Sequence, residues 1–80
     1  MSALCDDLTE LLQLLVDEPE EVRVFQSDGP RSARFEVSVA REDLGKVIGR
    51  QGRAVRAVRS LLAARGELDR KRYELEILED

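Results

Sequence analysis

Eighty residues suffice for one small domain, and 42% apolar side chains suffice for one core. The absence of histidine and a single cysteine, Cys5, exclude a His/Cys metal site, a His-based catalytic triad and an internal disulfide. Charged residues make up 38%, and the longest apolar-rich stretch, residues 11–16, falls far short of bilayer thickness, so no membrane association is expected and the cytoplasm is the expected compartment.

In chain order, residues 2–16 are expected to form an amphipathic helix, with Leu4, Leu8, Leu11, Leu12 and Leu15 on one stripe. Ser2 is the expected N-cap, and Asp6 and Asp7 suit the positive end of the helix dipole. Asp17-Glu18-Pro19 stops the helix, because the residue before a proline avoids the α region. Cys5 lies on the edge of the stripe and reads as a partly buried, inert thiol.

Residues 22–25 alternate, as do residues 35–39, and the intervening residues 26–32, with Asp28-Gly29-Pro30, read as a longish hairpin loop. A third alternating run covers residues 73–78. Between the second and third runs the pattern is helical. Leu44, Val47 and Ile48 suit a short helix, and a longer one starts near Gly52. On the longer helix Ala54, Val55, Val58, Leu61 and Leu62 share one face, and Arg53, Arg56 and Arg59 occupy the other. Gly66 is expected to end it, leaving residues 67–72 as a charged connector. A strand–helix–helix–strand crossover makes its flanking strands parallel. The expected class is α+β, ordered α-β-β-α-α-β over residues 1–80 as one domain, with helices on one face of a three-stranded mixed sheet.

The chemistry concentrates in residues 44–55, which include Gly45, Lys46, Ile48, Gly49, Arg50, Gln51, Gly52, Arg53 and Val55. Glycines at a junction between two helices permit backbone conformations and close approaches that side chains block. Gly45, Gly49 and Gly52 would form one bare stripe if the first helix continued through them. The amides at the start of the following helix face outward with the positive end of its dipole, ready for a phosphate. Glycines at such junctions also serve as caps alone, so the charges beside them decide the reading.

Net charge is −4, yet it is segregated. Residues 1–40 hold three cations against nine anions, whereas residues 41–72 hold ten cations against four anions. A local basic field steers a polyanion whatever the total charge. With only Phe25, Phe35 and Tyr73 as aromatics, a base-stacking platform is not expected.

Ile48-Gly49-Arg50-Gln51-Gly52 resembles the GXXG loop of a K-homology (KH) domain, and the element order resembles the bacterial type II form of that fold. Residues 15–22 and 42–53 extend the likeness to the small stand-alone bacterial KH-domain RNA-binding proteins of the KhpA family. That resemblance implies a non-catalytic, cytoplasmic binder of single-stranded RNA with no cofactor, acting as a chaperone-like post-transcriptional regulator linked to cell shape and division. It puts Gly49, Arg50, Gln51 and Gly52 at the phosphates. Gly45, Lys46, Ile48 and Val55 would lie near the groove for the bases, and Arg53 and Arg56 behind the loop. Arg31 and Arg34, in or beside the loop between the first two strands, are expected to reach the RNA. It also implies a homodimer or a complex with a second, larger KH-domain protein.

Three other readings stand beside it. A helix-turn-helix DNA binder would use Arg53, Arg56 and Arg59 as its reading face. A nucleotide-binding enzyme fits poorly, because neither a P-loop nor a dinucleotide fingerprint is present and no base sits beside a nucleophile. A protein-interaction or dimerisation module would use the Leu-rich first helix, which is compatible with RNA binding.

Overall fold

A computed structural model describes residues 3–79. Helix α1 spans Ala3–Leu15, strand β1 Arg23–Asp28 and strand β2 Ser32–Ser38. They are followed by the short helix α2, Leu44–Ile48, the long helix α3, Arg53–Asp69, and strand β3, Arg72–Ile77. Single turns of 3-10 helix precede β1 at Pro19–Glu21, precede α2 at Arg41–Asp43, and join α2 to α3 at Arg50–Gly52. The expected Ser2 cap lies outside the described residues.

The sheet order is β1-β2-β3, with β1 antiparallel to β2 and β2 parallel to β3. Alternation sorts its two faces. Phe35 pairs in register with Gln26 on β1 and Leu75 on β3, and Val37 pairs with Val24 and Ile77. Phe35, Val37, Leu12 and Val47 are fully buried, each contributing about 1.5–3 kcal/mol of burial. Cys5, Leu8 and Leu12 of α1 and Val55, Val58 and Leu62 of α3 complete this core, so every helix lies on one face. On the opposite face Phe25 is exposed, and Arg34 pairs with Glu76 and, at 3.9 Å, with Glu36.

Four local expectations need correction. The hairpin loop is shorter than residues 26–32, because Gln26, Ser27 and Asp28 continue the ladder opposite Phe35, Arg34 and Ala33. The Gly29 amide closes the turn on the Ser32 carbonyl at 2.8 Å. Leu61 is 63% exposed, since the leucines of α1 cover Leu62 and leave its neighbour at the rim. Cys5 is buried, 4% exposed, rather than partly buried, and burial pushes its thiol pKa up, which keeps it protonated and inert. Finally, α3 runs straight through Gly66 to Asp69 and ends at Arg70 in the left-handed conformation (φ 55°). Gly66 has another task. A Cβ there would stand 2.5 Å from the Lys71 carbonyl oxygen, so glycine lets the chain double back against α3 and enter β3.

Candidate nucleic-acid interface

Helix α2 stops after one turn because Gly49 takes φ 81°, ψ 167°, a region open essentially to glycine alone. The bare stripe expected of Gly45, Gly49 and Gly52 therefore does not form. Gln51 (φ 56°) and Gly52 (φ 75°) both follow in the left-handed region, and Arg53 begins α3. The Gly49 amide donates to the Gly45 carbonyl at 2.8 Å and the Gly52 amide to the Gly49 carbonyl at 3.1 Å.

Close approach is the second requirement at Gly49. A Cβ on it would lie 2.6 Å from the Ala54 nitrogen and 2.8 Å from the Ala54 Cβ. Any side chain here would cover the first amides of α3. No side chain caps that helix, and its first amide, that of Arg53, donates to the Arg50 carbonyl within the turn. Gly52 and Gly45 have open space where a Cβ would stand.

Arg50, Arg53 and Arg56 surround the turn, all exposed. None of the three is in an ion pair among the described residues. Lys46 differs: its Nζ is 2.6 Å from Asp17 Oδ2 and 3.8 Å from Asp43 Oδ1, and the Asp17 hydrogen bond raises its pKa. Its charge is already largely answered. Asp43 is 1% exposed and accepts the amides of Asp17 at 3.2 Å and Glu18 at 3.1 Å. It thereby ties the loop after α1 to the start of α2 and sets the position of the turn.

Beside the turn lies a groove of about 240 Å³ between α3 and the edge strand β3, lined by Ile48, Val55, Arg59, Glu76, Ile77 and Glu79. Ile48 and Val55 are among the residues expected near the bases. Arg59, Glu76, Ile77 and Glu79 are not, although Arg59 lies one helical turn beyond Val55 and was legible on that ground. Arg59 Nη2 donates to the Leu75 carbonyl at 3.2 Å, which ties α3 to β3 across the groove. Arg59 is the cation on the α3 side of the groove, and Glu76, paired with Arg34, and Glu79 are the acids on the opposite side. No aromatic residue lines this groove. Phe25 is on the open sheet face, and Phe35 packs edge-on against Tyr73 with ring centroids 5.9 Å apart.

Arg31 and Arg34 are not brought to the turn. Because β2 and β3 run parallel, the hairpin connection meets the start of β3, where the Arg72 amide donates to the Arg31 carbonyl at 2.8 Å. That is the C-terminal end of α3, and 17 helical residues, about 25 Å, separate it from the turn. Arg34 sits on the sheet face away from the helices, neutralised by Glu76. The helix-turn-helix alternative is weakened as well, since α2 has only five residues.

A family model described as KhpA/KhpB, KH domain, matches residues 6–77. The chain is 46% identical over 79 residues to the RNA-binding protein KhpA of Aquifex aeolicus, covering 99% of this chain and 100% of that one. It is 41% identical over 73 residues to the RNA-binding protein KhpA of Chlamydia pneumoniae, with 91% and 94% covered. Against the RNA-binding protein KhpA of Listeria monocytogenes it is 39% identical over 72 residues, with 90% and 95% covered. The α-β-β-α-α-β order with a mixed three-stranded sheet is the type II KH arrangement. With nearly the whole length matched and the turn in its expected place between α2 and α3, the chain belongs to the KhpA/KhpB KH-domain family.

Proposed function

We propose that this protein binds single-stranded RNA by clamping the sugar-phosphate backbone at the 49–52 turn, without catalysis, as a chaperone-like post-transcriptional regulator in the cytoplasm. The observation that carries this reading is Gly49, whose missing side chain leaves the Ala54 amide approachable at the uncapped start of α3. Arg50, Arg53 and Arg56 neutralise phosphates around that point, and Ile48, Val55 and Ile77 offer the bases a shallow apolar wall. Lacking an aromatic to stack on, the groove holds bases weakly, so affinity is modest and sequence preference loose.

The test is fluorescence anisotropy with a labelled single-stranded RNA pool, with duplex DNA as competitor. The variant is Arg50→Asp/Gln51→Asp, because both side chains are exposed and aspartate tolerates the left-handed backbone at position 51. Binding that resists duplex and disappears in the folded variant is expected. Equal binding by wild type and variant would exclude the clamp, and strong competition by duplex would favour the DNA-binding alternative.

A second reading, self-association or a complex with a larger KH-domain protein, is favoured by one feature. Leu4, Leu8, Leu11, Val58, Leu61 and Leu62 line an apolar cleft of about 150 Å³ between α1 and α3. Sedimentation equilibrium of the wild type and Leu61→Lys tests it: a monomer at high concentration in both would exclude pairing of two copies through this cleft.

A further inference from the structure

Resting on the RNA-binding reading above, we infer that a bound single strand continues past the 49–52 turn along α3. It reaches a second phosphate-contact surface at the far end of the domain, formed by Arg31, Arg70, Lys71 and Arg72.

The inference starts from which cations are already engaged. Arg34, Lys46 and Arg65 are in ion pairs, and Arg23 and Arg59 donate to backbone carbonyls. Among the described residues, the side chains of Arg31, Arg70, Lys71 and Arg72 have no such partner, although the Lys71 charge is felt by the nearby Asp69 carboxylate, and all four are exposed. In a chain of net charge −4, the unengaged cations thus gather mainly at two places, the two ends of α3. One or two positive charges suffice to complement the negative end of a helix dipole; four exceed that need. Arg70 also holds the left-handed conformation (φ 55°, ψ 44°) at the helix end, where glycine or asparagine would be unstrained.

The second observation is a path between the two ends. Gly52, Arg56, Arg59, Ala63, Gly66 and Arg70 are spaced by four, three, four, three and four residues, which places them on one stripe of α3 about 27 Å long. The stripe flanks the seam between α3 and β3. The groove beside the turn opens at one end of that seam. At the other end is a depression of about 460 Å³ lined by Ala63, Gly66 and Tyr73 together with Arg70, Lys71 and Arg72. Glu67 is the one acid in its lining, outnumbered by the three cations. Small residues at positions 63 and 66 leave room there for a base beside the half-buried Tyr73. A tetranucleotide at the turn is too short to span the stripe; a longer strand can engage both ends.

The experiment compares binding of a labelled tetranucleotide and a labelled dodecanucleotide, both single-stranded RNA, across a salt series. It uses the wild type, Arg70→Gln/Lys71→Gln/Arg72→Gln, and Arg31→Gln. The single variant alters only the hairpin connection, so it remains informative if the triple one is poorly folded. The wild type is expected to bind the dodecanucleotide more tightly and with a steeper salt dependence. In the triple variant the dodecanucleotide should weaken about tenfold or more, and its log-log salt slope should flatten by about 2 for three lost phosphate contacts. Arg31→Gln should show a smaller loss of the same kind, and tetranucleotide affinity should stay unchanged in both variants. Equal affinity of the wild type for the two lengths overturns the inference while leaving the clamp intact. So does equal weakening of both lengths, which is the signature of a general field. Dodecanucleotide binding unchanged in both variants overturns it too, and leaves these cations for an acidic protein partner. Failure of the wild type to bind either RNA removes the RNA-binding reading and this inference together.

Discussion

Gly49 and Gly52 look equivalent in the GXXG pattern, but their surroundings predict different responses to substitution. Gly52 (φ 75°, ψ 16°) is in the left-handed helical region with nothing within 4 Å of where a Cβ would stand. Gly52→Ala should therefore cost about 1 kcal/mol of backbone strain, and Gly52→Asn less, since asparagine visits that region readily. Gly49 (φ 81°, ψ 167°) is in a region that asparagine does not share, and a Cβ there would meet the Ala54 nitrogen at 2.6 Å. Backbone strain of about 1–3 kcal/mol adds to overpacking of about 1–3 kcal/mol, so Gly49→Ala should cost about 2–6 kcal/mol. A domain of this size has roughly 4–12 kcal/mol of total stability, and each kcal/mol moves its midpoint by about 4–8 °C. Thermal unfolding should show Gly52→Asn within a few degrees of wild type, Gly52→Ala modestly lower, and Gly49→Ala and Gly49→Asn lower still by at least twice the Gly52→Ala shift. RNA binding by the folded fraction should survive Gly52→Asn and fail in both Gly49 variants, because a side chain at 49 covers the Ala54 amide. Equal shifts at 49 and 52, or rescue of position 49 by asparagine, would refute the argument from close approach.

Four further outcomes are expected. With Arg50, Arg53 and Arg56 as the phosphate contacts at the turn, the log-log salt slope for a tetranucleotide should be about −2, and a salt-independent affinity would exclude them. Asp43→Ala removes the buried carboxylate that accepts the amides of Asp17 and Glu18 and should destabilise the fold by about 1–3 kcal/mol in urea titration. Gly66→Ala should destabilise despite the better helix propensity of alanine, because the Lys71 carbonyl stands 2.5 Å from the new methyl group; a stabilised variant would mean that β3 shifts freely. The Tyr73 hydroxyl donates to Asp69 Oδ2 at 2.6 Å, which lowers the Asp69 pKa and raises that of the phenol. The depressed carboxylate contributes stability above its unfolded value, about 3.9, and loses it as pH falls through the folded pKa; the raised phenol contributes below about 10 and loses it as pH climbs through its folded pKa. Since Tyr73 is the only tyrosine, an ultraviolet titration reads it directly, and its midpoint should fall back towards 10 in Asp69→Asn.

Much of this architecture is legible without coordinates, because it rests on local chemistry. Period-3.6 leucines give α1, the alternation around Phe35 gives β2, and an inserted pair of helices makes β2 and β3 parallel. The glycines and arginines of residues 49–53 mark the candidate site for the same reason: a reversal between helices needs glycine, and a phosphate needs cations near it. Resemblance then narrows a candidate phosphate-binding turn to a family, which spacing alone does not do.

What local chemistry could not settle is what comes to lie beside what. Gly66 reads as a helix terminus until the returning chain is seen against it, since a glycine required by a neighbour 2.5 Å away leaves no mark in its own segment. Lys46 and Arg34 count as available charges in a composition, yet Asp17 and Glu76, 29 and 42 residues distant, answer them across the fold. Arg31 is as basic as Arg50, but the direction of β2 carries it to the other end of α3. Residue type, periodicity and charge are properties of the chain and determine the elements and the turn. Which cations remain unpaired, and which glycine must stay bare, depends on distances between remote segments, and those the tertiary structure alone decides.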